Sequence, residues 1–504
     1  MKQLNCATLI ANLAKKVEVE SAFVRALPGF SIVGLPSQSI QESKDRIKSA
    51  LLKIGFKFPA QKITINLSPS DLKKEGSHFD LAIAVLIALQ NVEFDLGETY
   101  VFGELGLDGS VKSTQTLFSL LLALATTKKN VKVLIPYSIA KRASTIPNLT
   151  VYGVNSLEEA ISFFIDKDKK EEFLHTEKDP LFKNPLTIEE KTYVVNSDYP
   201  LDFKDIKGQS RAKRAMMIAS AGFHNVLLEG SPGCGKSMSI KRLRYILPPL
   251  NTKEVLESAA HRSLGEKEVG FEAVRAFRSP HHTSSKPSIF GGGSSSAKIG
   301  EVALAHNGIL FFDEFPHYSR QVLESLREPL EDGQVLISRV NMKVLYPTKI
   351  LFAAAMNPCP CGYSLSLQIP CKCSEAEIVR YRSKISGPLL ERIDLHIQMD
   401  ESKDSDEGLD SKTMHQIVLN AFKKQKKRGQ IEFNAKLQKD EMERFCICTK
   451  EALEILNEAA SRFGLSYRVM DKSLKIARTI ADIENSDKIE SSHIIEALSY
   501  RLRH

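Results

Sequence analysis

The sequence predicts a multidomain α/β protein that ends in an all-helical region, and three observations predict it. Short apolar runs that read as strands alternate with helix-period runs through residues 1–165 and again through 201–400. Two charged stretches interrupt the alternation, "DKDKKEEFLHTEKDPLFKNPLTIEEK" from residue 166 and "DESKDSDEGLDSK" from residue 400. Beyond residue 411 the apolar spacing is that of amphipathic helices. The expected organisation is an N-terminal α/β or α+β domain at 1–165, a linker at 166–200, a central α/β domain at 201–400 and a helical domain at 411–504.

Each element follows from its local pattern. In the first domain "KITINLS" and "KVLIPY" read as strands, and "SIQESKDRIKSALLKIG" and "FDLAIAVLIALQ" as helices. The central domain has three apolar runs short enough to be buried parallel strands: "HNVLLEG", "GILFF" and "KILFAAAM". In the tail, "KEALEILNEAASRFG", "VMDKSLKIARTIADIE" and "SSHIIEALSYRLR" carry helical spacing and N-cap signals.

The bulk numbers exclude some function classes. With 42% hydrophobic and 26% charged residues the composition is that of a globular protein, and a net charge of +8 permits a polyanionic partner without requiring one. The N-terminal "MKQLNCATLIANLAKKVEVE" is broken by Asn and Lys before a signal-peptide core can build. The longest apolar stretches, "LAIAVLIAL" and "LFSLLLALA", are about half the ~20 residues that span a bilayer. A reduced, cytoplasmic protein without a membrane segment is expected.

The chemistry is concentrated in the central domain. Residues 230–237, "GSPGCGKS", follow a strand and open the helix "MSIKRLRYIL". Gly230, Ser231, Pro232, Gly233, Cys234, Gly235, Lys236 and Ser237 thus form a phosphate-binding loop for ATP: backbone N–H groups and a helix N-terminus face the phosphates. Lys236 neutralises β- and γ-phosphates, and Ser237 ligates Mg2+. About eighty residues on, "GILFFDEFP" ends a strand at Asp313, placed for Mg2+, and Glu314, placed to deprotonate the attacking water. "KILFAAAMNP" ends at Asn357, placed to hold that water near the γ-phosphate; the plain alternative is a turn residue in an Asn-Pro step.

Two arginines complete the set. "SGPLLERIDLHI" places Arg392 before another strand, where it can reach a neighbouring subunit's γ-phosphate; a surface Arg beside Glu391 is the competing reading. Arg468 in the tail is a second phosphate-sensing candidate, ahead of Arg478. His281 and His282 have no spaced third ligand and read as loop or interface residues. Directly after Asn357 come Cys359, Cys361, Cys371 and Cys373, two C-x-C pairs that match a structural Zn2+ site in number and softness. The spacing is tighter than C-x2-C, and buried free thiols or redox pairs remain as alternatives.

With these motifs in order, the chain resembles the ComM/YifB family, the magnesium-chelatase-like AAA+ ATPases of bacteria. The resemblance covers nearly the whole chain, through strings such as "FSIVGLPSQSIQESKDRIKSAL", "VFGELGLDGSVK", "GQSRAKRAMMIASAGFHNVLLEGSPGCGKS", "FRSPHHTSS", "GEVALAHNGILFFDE", "MNPCPCGY", "SGPLLERIDLHI" and "RVMDKSLKIARTIADIE". It implies an AAA+ central domain with a helical lid, and a homo-oligomeric, hexameric ring with ATP at subunit interfaces. It also implies two hairpins lining the pore, at 275–308 and 331–349, whose Lys286, Lys298, Arg339 and Lys343 could track a DNA backbone.

The first domain resembles the Lon protease catalytic fold, shared with ribosomal protein S5. Ungapped, the family's Ser falls at His78 with Ser77 one place early, and its Lys falls at Phe118, so a non-proteolytic domain is expected. The resemblance implies a DNA helicase that drives branch migration and integrates incoming single-stranded or branched DNA during natural transformation. The alternatives are a chelatase-like or protein-remodelling ATPase and, last, an ATP-dependent protease.

Overall fold

A computed structural model gives the fold; it describes residues 2–501 apart from 11–12, 93–97, 167, 267–268, 293–298, 340–341, 367 and 400–407. The chain forms two compact units, Met1–Lys183 with Val255–Phe271, and Asn184–Glu254 with Glu272–His504.

The first unit is built on an eight-stranded mixed sheet. Its strands lie in the order Leu174–His175, Leu149–Val154, Val131–Pro136, Tyr100–Val101, Lys2–Ile10, Leu13–Val24, Lys62–Ser68, Gly29–Val33. The strand at 62–68 alternates as its sequence does: Ile63, Ile65 and Leu67 are buried and the residues between them face outward. The helix Asp80–Ala88 is apolar on every side and is buried along nearly its whole length.

The turn that corresponds to a protease nucleophile is committed elsewhere. Ser77 donates its hydroxyl to the Glu104 carboxylate. His78 is buried and its Nε2 lies 2.9 Å from the Ala7 carbonyl. The Lys74 ammonium donates to the Gly34 and Pro69 carbonyls. Phe118 is covered by the Arg142 guanidinium 3.9 Å above its ring.

Two of the expected boundaries differ from the structure. The 166–200 linker is largely built. Residues Leu174–His175 add a strand beside Leu149–Val154, and Leu186–Ile188 pairs with Lys191–Val194 in a small sheet of the second unit. A few apolar side chains anchor this charged stretch: Phe173 packs on the first core, and Tyr193 meets the Phe422 ring edge-on at 5.2 Å. The second difference is Val255–Phe271, which the sequence places in the central domain. Leu256, Ala259 and Ala260 fall at i, i+3 and i+4 spacing, and with Val269 they belong to the first unit's core.

The second unit carries a five-stranded, all-parallel sheet in the order Phe277–Arg278, Ile309–Phe312, Leu351–Met356, Val226–Gly230, Leu395–Met399. Ile309–Phe312 and Leu351–Met356 are buried at every residue, as apolar runs covered on both faces must be. The C-terminal helices Ser411–Lys427, Lys450–Phe463, Tyr467–Ile483 and Ser491–Ser499 share this core through Met414, Val418, Leu456, Ile480 and Ile494. Gln334–Arg339 and Met342–Pro347 form the expected second hairpin. The expected first hairpin is not one among the described residues: Lys286–Phe290 and Glu301–Leu304 are short helices there. No helix among the described residues is long and apolar enough to cross a membrane.

Candidate active site

The strand order sets the site. The strand ending in Asn357 lies between the strand that feeds the phosphate loop and the strand that ends in Asp313, so all three present their C-terminal ends side by side. In an open parallel sheet this edge is where ligands bind.

The phosphate loop turns through Gly233 and Gly235 at φ +85° and +93°, a region that favours glycine. The helix Lys236–Leu243 begins at once behind it. Lys236 Nζ donates to the carbonyls of Gly230 (2.6 Å) and Ser231 (2.9 Å) and to Asn357 Oδ1 (3.1 Å). Burial pushes the Lys236 pKa down, against the pull of Cys234 and Asp313. Its hydrogen-bond partners are neutral acceptors, so an arriving phosphate would add a negative charge in direct contact with it. Ser237 Oγ donates to Asp313 Oδ2 at 2.7 Å. This pair of hard oxygens, 2.7 Å apart at the helix start, fits Mg2+.

Glu314 follows with a left-handed backbone at φ +50°. Its carboxylate lies 3.3 Å from His282 Nδ1. His282 itself stands beside His281, His317 and Tyr318. The Tyr318 hydroxyl donates to the Pro280 carbonyl at 2.6 Å, which ties the "SPHH" segment to the acid strand. The sequence reading gave His282 no role at this site. Its one signal was position, just past the strand Phe277–Arg278 that pairs with the acid strand.

The two arginines meet away from the loop. Arg392 is buried, donates to the Pro388 carbonyl at 2.5 Å and pairs with the Glu331 carboxylate. Arg468, half-exposed, reaches the other oxygen of Glu331 at 3.3 Å. The hydrogen bond from Arg392, aided by the charge of Arg468, lowers the Glu331 pKa. Neither arginine bonds the phosphate loop of its own chain among the described residues. Arg478 is buried and held by Asp482 and the carbonyls of Ser486 and Asp487, which leaves Arg468 as the arginine with a side chain open to solvent.

Of the proposed DNA contacts, Lys286 is exposed at the first turn of its short helix. The strand register pairs Arg339 with Met342 and Ser338 with Lys343, next to the hairpin turn. Lys298 lies outside the described residues. The four cysteines come together, with their sulfurs all within 4.8 Å of one another. Backbone N–H groups of Lys372 and Tyr363 hold the Cys361 thiol down to about 6.

Comparison with known proteins agrees with this architecture in three segments. The magnesium chelatase subunit ChlI family matches residues 202–407, its C-terminal region matches 408–501, and a further ChlI family of the same chelatase matches 19–138. The chain is 37% identical over 500 residues to competence protein ComM of Haemophilus influenzae, covering 97% of this chain and 95% of that one. It is 37% identical over 503 residues to the uncharacterized protein YifB of Escherichia coli, covering 97% and 94%. A more distant relative is the maternal DNA replication licensing factor mcm6 of Xenopus tropicalis, 22% identical over 410 residues, covering 70% of this chain and 45% of that one.

Proposed function

Given that this chain belongs to the ComM/YifB family of magnesium-chelatase-like AAA+ proteins, we propose that it is a ring-forming, ATP-hydrolysing DNA motor. The ring is a homo-hexamer in the cytoplasm, and its work is branch migration on single-stranded or branched DNA, supporting integration of incoming DNA in natural transformation. The observation that carries the ATPase reading is the meeting of Lys236, Ser237, Asp313 and Asn357 at one sheet edge. ATP and Mg2+ supply the phosphoryl group and its counter-charge there. Lys236 binds the phosphates, Ser237 and Asp313 hold the cation, Glu314 takes a proton from water, and Asn357 orients that water.

The ring reading rests on Arg392 and Arg468, which among the described residues bond no phosphate-loop residue of their own chain. They serve the neighbouring subunit's nucleotide. The DNA reading draws support from the names of two relatives, a competence protein and a DNA replication licensing factor. Lys286, Lys298, Arg339 and Lys343 are the proposed backbone contacts, and we read Zn2+ as the ion for the four clustered thiols. The chelatase family match favours a second reading, metal insertion or protein remodelling. The first unit, Lon-like in this proposal, is read as non-proteolytic, since the Ser77 hydroxyl is given to Glu104.

ATPase assays with forked DNA, casein, or porphyrin separate these readings. Forked DNA is expected to stimulate turnover, and Lys236→Ala to abolish it. A chain that neither binds DNA at low salt nor responds to it rejects the motor reading. Turnover retained by Lys236→Ala rejects the site.

A further inference from the structure

The cysteine loop touches the nucleotide site, and this contact gives the thiols a role. Cys359 and Cys361 lie 3.4 Å apart at their sulfurs, Cys359 and Cys371 3.7 Å, and Cys361 and Cys371 3.5 Å. A disulfide needs about 2.05 Å, and all four cysteines are free. An ion bound at about 2.3 Å by four thiolates sets its sulfurs about 3.8 Å apart. Backbone N–H groups also point at the sulfurs. Ser364 N–H donates to Cys359 (3.3 Å), Cys361 N–H to Cys373 (3.4 Å) and Cys373 N–H to Cys371 (3.4 Å). These contacts fix the positions of three of the four sulfurs.

The loop reaches the phosphate site by two routes. Gly362, between the C-x-C pairs, has φ +90°, and a Cβ there would lie 2.8 Å from both Cδ and Cγ of Pro232 in the phosphate loop. Beyond Cys373, Ser374 caps the helix Glu375–Arg382 through a reciprocal capping box with Glu377. At the far end of that helix Arg382 donates to Glu229 at 2.7 Å, on the strand that feeds the phosphate loop, and to the Pro358 carbonyl at 3.4 Å.

We propose that Cys359, Cys361, Cys371 and Cys373 bind one structural Zn2+, and that this ion clamps the loop against Pro232 and so sets the shape of the phosphate loop. Binding replaces the thiol protons with the cation and involves no redox step. This clamp rests on the ATPase reading above, but its metal content is measured without DNA or turnover.

The test uses the full chain purified under reducing conditions. Elemental analysis is expected to find about one zinc per chain, and Co2+ exchange to give the visible bands of a tetrahedral thiolate site. Cys371→Ser with Cys373→Ser is expected to lose the ion and to weaken binding of a fluorescent ATP analogue roughly tenfold. If that variant does not fold, stripping zinc from the native chain with a chelator that spares the Cys234 thiol, while circular dichroism follows the fold, reads the same loss. Gly362→Ala keeps all four thiols, so it is expected to retain zinc yet lose ATP affinity. Reduced protein without zinc overturns the site. Zinc removed with ATP affinity unchanged overturns the clamp, and zinc lost together with that affinity supports it.

Discussion

Glu331 gives both of its oxygens to arginines that serve a nucleotide in this reading. Each arginine must leave that carboxylate before it can meet a phosphate, so the pairing opposes activity. Glu331 is about half-exposed, at 47%, so the pairing is worth about 1 kcal/mol. Glu331→Gln is therefore expected to cost about that much stability and to raise turnover at low ATP by up to about fivefold. Urea melts and ATP titrations check the two effects. At this scale the sequence was informative wherever chemistry imposes spacing. Lys236, Ser237, Asp313 and Asn357 sit where their motifs put them. Glu331 and His282 were silent, because each meets its partner only across the fold: Glu331 is 61 residues from Arg392.

The hairpin Gln334–Arg339 and Met342–Pro347 shows what an element can disclose. The family resemblance implied it at 331–349, and the paired strands lie within that range. Arg339 and Lys343 stand beside its turn. If they neutralise two phosphates, replacing both with Ala lowers the salt dependence of DNA binding by about two units of slope. Fluorescence anisotropy across a salt series measures it. The other insertion was also implied by resemblance alone: its described residues include the short helices Lys286–Phe290 and Glu301–Leu304, and its Gly- and Ser-rich centre, 293–298, lies outside the described residues. The helix Thr252–Ser263 misled the reading. An apolar stripe on a helix does not say which core receives it.

For the whole molecule, the proposed ring would make one chain's defect another chain's remedy. Lys236→Ala and Arg392→Ala chains are each expected to be inactive. Mixed in equal amounts, roughly a quarter of interfaces join an intact phosphate loop to an intact arginine, and turnover returns to about that fraction. No recovery on mixing places Arg392 in its own site instead. The second unit is also expected to weaken in acid. Burial lowers His396 and His415 from 6.5 to about 4. The unfolded chain binds their protons first, so stability is complete above about 6.5 and falls as pH drops toward 4. Each costs about 2 kcal/mol at pH 5, and urea melts at neutral pH and pH 5 read the loss.

The segment Val255–Phe271 has a consequence for how such a gene can be cut. The chain passes between the two units at three points, after Lys183, after Glu254 and after Phe271. A single protease nick after Glu254 or after Phe271 leaves residues 1–183 covalently joined to part of the second unit. Likewise, a gene piece encoding residues 1–183 would encode a core without Leu256, Ala259, Ala260 and Val269. One recombination point therefore cannot carry the whole first-unit core onto another chain.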